Sequence, residues 1–388
     1  MFMIDLTMQS VLFNKKFIRS VAVLTGTMVG VGVFGIPFAF SKSGFWVGLS
    51  FLVLVALINL IVDLLYGELI LRTSESHQLV GYIDLYLGAK AKKVIFFSII
   101  LSTYAALLAY VIIAGEFLTN VFSNLFRFSI SDFSIGFFIF ASLLILLGIK
   151  TISWIEVGLG FLFITIIFTI LGFGFNEINF KNFNYINLES WFLPYGVLLF
   201  AFAGLPAIPI QRRILKGQEK NIKKSIFIAV SIVSVLYFIF AFTVFGISGE
   251  VTSPEAINGL VPFLGEKIIW LGSLFGALAV TTSFIMLGSS LLEIFKLDYK
   301  FSNFVSWVFV ILPPLILFIG GLRNFIDIIG LAGSVAIGIE MVMLIYSYIK
   351  SKTDGDRDPE FEIKIPHFFL FFIMAIFVCG AIYSLIYR

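Results

Sequence analysis

Two runs rich in glycine and proline interrupt apolar stretches of the sequence and are the first candidates for binding chemistry. They read GTMVGVGVFGIP at 26–37 and FAGLPAIP at 202–209. Proline removes a backbone donor and glycine removes the steric bias of a helix, so both runs predict interrupted helices. In hydrocarbon, an interrupted backbone is tolerated only where it faces protein or a water-filled cavity. The runs therefore indicate a binding site, although the Gly26-x-x-x-Gly30 spacing alone would indicate helix packing.

A turn rich in hydroxyl groups lies farther along the chain, at 279–283. Thr282 and Ser283 offer hydroxyl oxygens there, and the carbonyl of Ala279 lies one turn earlier on the same helix face. A ligand set made only of oxygen atoms suits a hard cation. The alternative is that these hydroxyls bond to carbonyls of their own helix.

Carboxyl groups inside apolar segments cost about 2.5–3.5 kcal/mol on insertion scales and are often functional. Glu116 and Glu340 are the candidates for carrying a proton, whereas Asp63 and Glu68 lie nearer a helix end. The single cysteine, Cys379, excludes an intrachain disulfide, and two histidines cannot build a His-rich metal centre. No set of nucleophile and base converges at membrane depth, which argues against an intramembrane enzyme.

Composition identifies the elements that must position these groups. The chain has 60% hydrophobic and 13% charged residues, where soluble domains carry about 25% charged residues. The mean hydropathy is +1.07. A net charge of +3 gives no reason to expect a nucleic acid partner.

About 20 apolar residues cross a bilayer, and on that measure the sequence predicts eleven transmembrane helices. They are 17–40, 45–71, 94–122, 133–148, 154–175, 191–208, 226–245, 268–295, 304–319, 325–349 and 368–387.

The loop charges predict the orientation of these helices. Of the 26 Lys and Arg residues, 20 fall on loops that share a side with the N-terminus. Positive loops stay in the cytoplasm, so the N-terminus is predicted inside and the C-terminus outside, extracellular or periplasmic. No small-residue cleavage site follows Lys15 and Lys16, so the first helix is expected to remain as an anchor. The short termini favour a prokaryotic plasma (inner) membrane carrier.

The two interruptions fall in predicted helices one and six, five helices apart. Because five is odd, a second five-helix unit has inverted topology, and matching interruptions in inverted halves indicate a transporter binding site. The first run and LLFAFAGLPAIP resemble the amino acid–polyamine–organocation superfamily. Within it, the chain is similar to amino acid/auxin permeases and aromatic amino acid permeases. The resemblance implies an all-α membrane protein with a LeuT-type 5+5 inverted repeat (17–175 and 191–349) and an extra helix at 368–387.

The polarity of each interrupted helix predicts what it binds. Helix one runs outward, so free amides of Val31, Gly32, Val33 and Phe34 would face a carboxylate at the positive end of a helix dipole. Helix six runs inward and would present carbonyls of 200–202 to an ammonium group. The predicted substrate is therefore an amino acid, and the absence of charged neighbours favours a neutral, hydrophobic or aromatic one. The predicted substrate-binding residues are Thr27, Met28, Val31, Gly32, Val33, Tyr110 (or Tyr104), Phe200, Phe202 and Gly204.

The resemblance also implies a sodium site. In LeuT-type sodium transporters one ion lies between two carbonyls of helix one and a trio in helix eight. The matching positions here are Gly26, Val29, Ala279, Thr282 and Ser283. A second sodium site of these relatives uses Asn where this chain has Val33, so that site is expected to be absent. Proton coupling through Glu116 or Glu340 is the alternative, and the helix-five lysine of some proton-coupled relatives has no counterpart within 154–175.

Together these features predict a secondary transporter, a sodium-coupled symporter of neutral amino acids that works by alternating access. A proton-coupled permease or exchanger is the alternative, and an amino acid sensor or a channel is the rival from another class. No cofactor other than the coupling ion is expected. The lipid bilayer is the one other partner expected, and no obligate protein partner is evident.

Overall fold

The computed structural model describes residues 15–147, 153–297 and 300–387, without the side chains of 153–163 and Leu297. Gly148, the predicted end of the fourth segment, and the basic loop residue Lys150 lie outside the described residues. Within the described ranges the chain is helical, and an isolated β-bridge joins Gly44 to Ile186. The helices are α1 (Lys15–Met28), α2 (Gly32–Ser43), α3 (Phe45–Leu71), α4 (Leu79–Leu87), α5 (Ala89–Phe122), α6 (Ile130–Leu146), α7 (Ser153–Gly174), α8 (Leu193–Ala201), α9 (Ala207–Ile214), α10 (Ile222–Ser248), α11 (Val261–Leu264), α12 (Glu266–Leu297), α13 (Asn303–Ile319), α14 (Phe325–Leu331), α15 (Gly338–Asp354) and α16 (His367–Ile386).

Every predicted apolar segment contains helix in the described part of the chain. Six helical stretches are long and apolar enough to cross a membrane, and α1 with α2 forms a seventh span that is bent by 53°. Two of the remaining segments are shorter, and one is interrupted. Helices α6 and α13 have 17 residues each, about 25 Å at 1.5 Å per residue, and the sixth segment is divided into α8 and α9. The prediction of an all-α membrane protein with interrupted first and sixth segments is confirmed.

The first interruption is narrower than predicted. Helix α1 ends at Met28 and α2 begins at Gly32, so Pro37 lies inside α2 rather than at the break. The proline costs α2 one hydrogen bond, because the carbonyl of Val33 loses its donor, and the helix continues past it. The break lies instead in the three residues around Gly30, where the backbone is least restrained.

The second interruption covers five residues between α8 and α9. Pro206 is the N-cap residue of α9, and Pro209 lies in its first turn. Amides in the first turn of a helix have no partner within the helix, so a proline there costs little. The prolines therefore mark the start of the second half-helix rather than its disruption.

The predicted tenth helix is itself irregular and lies directly against α8. Between α14 and α15 the chain forms a π-helical turn, Ala332–Ile337. A side chain on Gly196 of α8 would fall on the carbonyl oxygen of Gly330, and one on Gly333 would fall on the carbonyl oxygen of Gly196. The two backbones are therefore in direct contact, and glycine is required at Gly196 and Gly333.

Basic loops meet at one end of the bundle. Arg212, at the end of α9, donates to the carbonyl of Thr73 at 2.8 Å, which joins the loops after α3 and α9. The loop after α15 joins them through Asp356, which accepts from the backbone N–H of Ser74 at 2.8 Å. This hydrogen bond lowers the pKa of Asp356. We call this end the basic face.

Contacts between amide groups join elements at the opposite end of the bundle. The Asn120 amide donates to the Asn258 side chain at 2.6 Å, which joins α5 to the loop before α11. The Asn182 amide donates to the carbonyl of Gly246 at 2.9 Å. These two contacts therefore lie at the helix ends opposite the basic face.

Candidate functional site

The first break leaves two backbone amides without an acceptor. The amides of Val33 and Phe34 donate to the carbonyls of Gly30 and Val31 at 3.4 and 3.2 Å. These two were predicted to be free, and that prediction was wrong because a tight first turn of α2 occupies them. Among the described residues, nothing accepts from the amides of Val31 and Gly32. Two donors therefore remain at the positive end of α2.

At the second break, two of the three carbonyls predicted to face an ammonium group already accept hydrogen bonds. The carbonyl of Phe200 accepts from the amide of Ala203 at 3.2 Å, and that of Ala201 accepts from the Tyr237 hydroxyl at 2.8 Å. The carbonyl of Phe202 has no donor among the described residues. The C-terminal end of α8 thus offers one free acceptor to a ligand, fewer than predicted.

The two breaks are in van der Waals contact with each other. A Cβ atom on Gly32 would lie 2.7 Å from the Ala201 Cα atom and 3.0 Å from the Phe200 ring. A Cβ atom on Gly204 would lie 2.6 Å from the Met28 Cε atom. Both positions were predicted to be substrate-binding residues. The structure shows that glycine is needed there so that the half-helices can approach.

Gly30 has more room around it than Gly32 or Gly204. A Cβ atom on Gly30 would lie 3.8 Å from the Tyr110 hydroxyl and 4.0 Å from the Ser283 hydroxyl. A Cβ atom on Gly26 would meet nothing within 4 Å. The side chains of the predicted residues Tyr110 and Ser283 are therefore brought to the first break, at van der Waals distance from such a Cβ atom. Tyr104 is not, since its hydroxyl donates to the Phe309 carbonyl at 2.6 Å.

The other predicted substrate residues are largely part of the core. The side chains of Met28, Val31, Val33 and Phe202 are almost fully buried. The Thr27 hydroxyl donates to the Val23 carbonyl of its own helix at 2.8 Å. These residues shape the breaks through packing, and their contribution to a ligand would come from the backbone.

Three aromatic side chains pack together beside the first break. The rings of Phe34 on α2 and Phe117 on α5 have their centroids 4.9 Å apart, and both side chains are buried. Phe240 on α10 packs on the other side of Phe34 at 6.1 Å. These rings join α2 to α5 and α10.

The predicted ion ligands occupy half-buried positions on α1, in the first break and on α12. Gly26, Val29, Ala279, Thr282 and Ser283 all keep partial exposure. The Thr282 hydroxyl donates to the Ala279 carbonyl at 3.0 Å, so these two oxygens already lie side by side. The donor set fits a hard cation, because it consists of carbonyl and hydroxyl oxygens. Binding an ion there would require the Thr282 hydroxyl proton to turn away.

The two predicted proton carriers lie apart from each other. Glu340 on α15 is buried and accepts from the Ser102 hydroxyl at 2.8 Å. Glu116 lies on α5 as Ser102 does, 14 positions farther along, or about 21 Å at 1.5 Å per residue. The structure therefore does not join the two carboxyl groups in one relay.

One residue at the breaks was missed from the sequence. The Tyr237 hydroxyl lies 2.7 Å from the carbonyl oxygen of Met28 as well as 2.8 Å from that of Ala201. In the sequence, Tyr237 is recognisable only as the single polar residue in the apolar run 236–242, which lies in α10. Sequence alone does not show that this run passes between the two breaks.

Comparisons with known proteins agree with this architecture. The profile of the tryptophan/tyrosine permease family matches residues 13–384. The chain is 26% identical to the tyrosine-specific transport system 1 of Haemophilus influenzae, over 82% of this chain and 84% of that protein. It is 22% identical to glutamine transporter 2 of Aliivibrio fischeri, over 86% and 89%. The crystal structure of MhsT in complex with L-phenylalanine has the same fold, with a TM-score of 0.64 at 14% identity, over 95% of this chain and 97% of that chain. The chain therefore belongs to the tryptophan/tyrosine permease family, whose members are transporters and not enzymes, and it has the LeuT-type fold.

Proposed function

We propose that the protein transports neutral amino acids with hydrophobic or aromatic side chains by alternating access, coupled to sodium. The observation that carries this proposal is the pair of free amides of Val31 and Gly32 beside the free carbonyl of Phe202. The amides suit a carboxylate and the carbonyl suits an ammonium group. A helix N-terminus contributes about 0.3–2 kcal/mol to such an interaction and requires no buried arginine or lysine.

The side chain of the substrate would enter the space beside Gly30. Tyr110 and Ser283 border that space with hydroxyl groups, and Phe200 lies half-buried at the neighbouring break. No charged side chain flanks either break within 26–34 or 200–206. A charged substrate side chain would be left unpaired in low dielectric, which is costly. The names of the relatives support the same class, since tyrosine, glutamine and phenylalanine are all neutral.

Sodium coupling rests on the oxygen ligands of α1 and α12. Hydroxyl and carbonyl oxygens at Gly26, Val29, Ala279, Thr282 and Ser283 would replace the hydration shell of a cation that joins the two helices. Such an ion would favour the conformation in which the substrate site is assembled, and this is how coupling arises. Proton coupling is the second candidate, supported by the burial of Glu340.

A binding experiment with the purified protein tests both parts of the proposal. We expect phenylalanine, tyrosine or tryptophan to raise the apparent melting temperature, and lysine and glutamate to leave it unchanged. A ligand at a hundred times its Kd stabilises the folded state by about 2.7 kcal/mol. Replacing choline by sodium at fixed pH should increase the shift. If no amino acid shifts the melting temperature, the proposed substrate class is wrong.

Proton coupling predicts a different pattern in the same experiment. The affinity for substrate would be independent of sodium and would depend on pH. Glu116→Gln or Glu340→Gln would remove the pH dependence. Measuring uptake into vesicles then distinguishes a transporter from a sensor or a channel. Saturable uptake driven by a sodium gradient supports a symporter, and binding without uptake would indicate a sensor.

We also propose that the basic face is cytoplasmic and that the protein lies in the plasma membrane. The support is the charge asymmetry, with 20 of 26 Lys and Arg on that side by the sequence count. The N-terminus would then be inside and the C-terminus outside.

A further inference from the structure

Tyr237 touches both interrupted helices through one atom. Its hydroxyl oxygen lies 2.7 Å from the carbonyl oxygen of Met28 and 2.8 Å from that of Ala201. Met28 is the last residue of α1 and Ala201 is the last residue of α8. A side chain of α10 therefore links the ends of two half-helices that are far apart in sequence.

Two helix ends that meet in this way need a positive partner. The last carbonyls of a helix lack the amide partners of its interior and carry the negative end of its dipole. Here the Met28 carbonyl accepts from the Gly30 amide at 2.8 Å, and the Ala201 carbonyl has no amide partner among the described residues. Two such oxygens around one point would repel each other unless a cation or a donor lies between them. The Tyr237 hydroxyl is at hydrogen-bonding distance from both, but it has a single proton to share.

The ring of Tyr237 is held firmly in place. Its side chain is fully buried, and the Phe202 ring packs against it edge-on with centroids 5.0 Å apart. Close packing of this kind leaves the ring no alternative rotamer of low energy. The position of the hydroxyl is therefore set by α10 and by the second break itself.

We infer that Tyr237 is a positioning residue, whose hydroxyl takes the place of a cation between the two helix ends and fixes their separation. The inference rests on the proposed function, because the ends that it joins adjoin the amides of Val31 and Gly32 and the carbonyl of Phe202. The separation of the two ends sets the distance between the carboxylate and ammonium subsites. Tyr237 thereby makes the site selective for α-amino acids, in which one carbon separates the two groups.

The test compares an α-amino acid with its β-homologue, which has one extra carbon between amine and carboxylate. We would measure the affinities of L-phenylalanine and L-β-homophenylalanine and take their ratio, because the folded fraction of a variant cancels in a ratio. Tyr237→Phe should lower the preference for the α-amino acid about fivefold, the effect of one neutral hydrogen bond. An unchanged ratio would overturn the inference.

Tyr66→Phe provides the matched control. Tyr66 on α3 is also fully buried, but its hydroxyl has no partner among the described residues. Its loss should leave the ratio unchanged, and a drop as large as that of Tyr237→Phe would contradict a specific role for Tyr237.

A second variant decides the matter if Tyr237→Phe fails to fold. Tyr237→4-aminophenylalanine keeps the ring and supplies two N–H donors, one for each carbonyl. The ratio should then stay at or above that of the unchanged protein, and a lower ratio refutes the inference. An unchanged protein that binds no amino acid refutes the proposed function instead, and the two failures are thereby distinguished.

Discussion

At the scale of single residues, the glycines of the first break have different roles. Gly32 lies against the backbone of the second break, whereas a Cβ atom on Gly30 would meet only two hydroxyl groups, at ordinary van der Waals distance. The sequence marks both as glycine and does not distinguish them, because the difference depends on what the other half-helix brings near. Predicting a break from glycine and proline was therefore possible, but assigning each glycine to packing or to ligand contact required the fold.

Alanine at these two positions should separate stability from binding. Gly32→Ala places a methyl group 2.7 Å from the Ala201 Cα atom, so the half-helices must move apart. Overpacking of this kind costs about 1–3 kcal/mol, and we expect a lower melting temperature. Gly30→Ala meets nothing closer than 3.8 Å and should leave the melting temperature unchanged while it weakens substrate binding.

The measurement is thermal unfolding in detergent without ligand, followed by substrate titration. Equal melting temperatures for the two variants would contradict the packing role of Gly32. Full affinity in Gly30→Ala would show that the substrate does not use the space between Tyr110 and Ser283.

At the scale of elements, α12 presents its hydroxyl groups in two different settings. The Thr281 hydroxyl donates to the Ala277 carbonyl at 2.6 Å, and the Thr282 hydroxyl donates to the Ala279 carbonyl at 3.0 Å. Back-bonding to the helix, the alternative that the sequence left open, is therefore observed for both. Ser283 is different, since its hydroxyl lies near the first break.

Removing the hydroxyls of the candidate ion site should weaken coupling. We expect Thr282→Ala combined with Ser283→Ala to reduce the sodium activation of substrate binding and to retain the weak affinity without sodium. Too few oxygens would remain to replace the hydration shell of the ion. Coupling is reciprocal, so substrate increases the affinity for sodium by the same factor by which sodium increases the affinity for substrate. In the variant both factors should be smaller.

Thr281→Ala is the matched control, since it removes a neighbouring hydroxyl that is not among the five ligands. Its sodium dependence should equal that of the unchanged protein. A flat response to sodium in the unchanged protein would eliminate the sodium site altogether.

Local sequence also limits what can be predicted about the elements themselves. Apolar segments with their lengths and loops were predictable because burial in a bilayer imposes a strong pattern. The π-helical turn Ala332–Ile337 was not, because a π-turn depends on packing against a neighbour and has no composition of its own. The exact extent of each break was also misjudged, since Pro37 and Pro209 are tolerated inside helices.

At the scale of the whole molecule, the loops of the basic face form a connected layer. Arg357 donates to the carbonyl of Leu71 at 2.8 Å, and Glu68 accepts from Arg72 and from Tyr348. Helices far apart in sequence are thereby tied together at one end. The pairing of these loops agrees with the charge count, while the side of the membrane on which they lie is a separate question.

Cysteine labelling in intact cells answers that question. Lys220 on the basic face and Glu250 at the other end are both exposed, and the exposed Cys379 can be replaced by alanine to give a background without cysteine. We expect Glu250→Cys to react with an impermeant thiol reagent and Lys220→Cys to be protected until the cells are opened. The reverse pattern would place the basic face outside.

The contact between Gly196 and Gly333 also determines how the site can be redesigned. Helix α8 lies so close to the π-helical turn that it has no room to retreat, and neither glycine accepts a larger residue. A binding site for a bulkier amino acid therefore has to be enlarged from the side of α5 and α12, for example by shortening Tyr110. Libraries that vary Gly196 or Gly333 would consist mainly of misfolded variants, whereas libraries at Gly26, Gly30 and Tyr110 would sample new specificities.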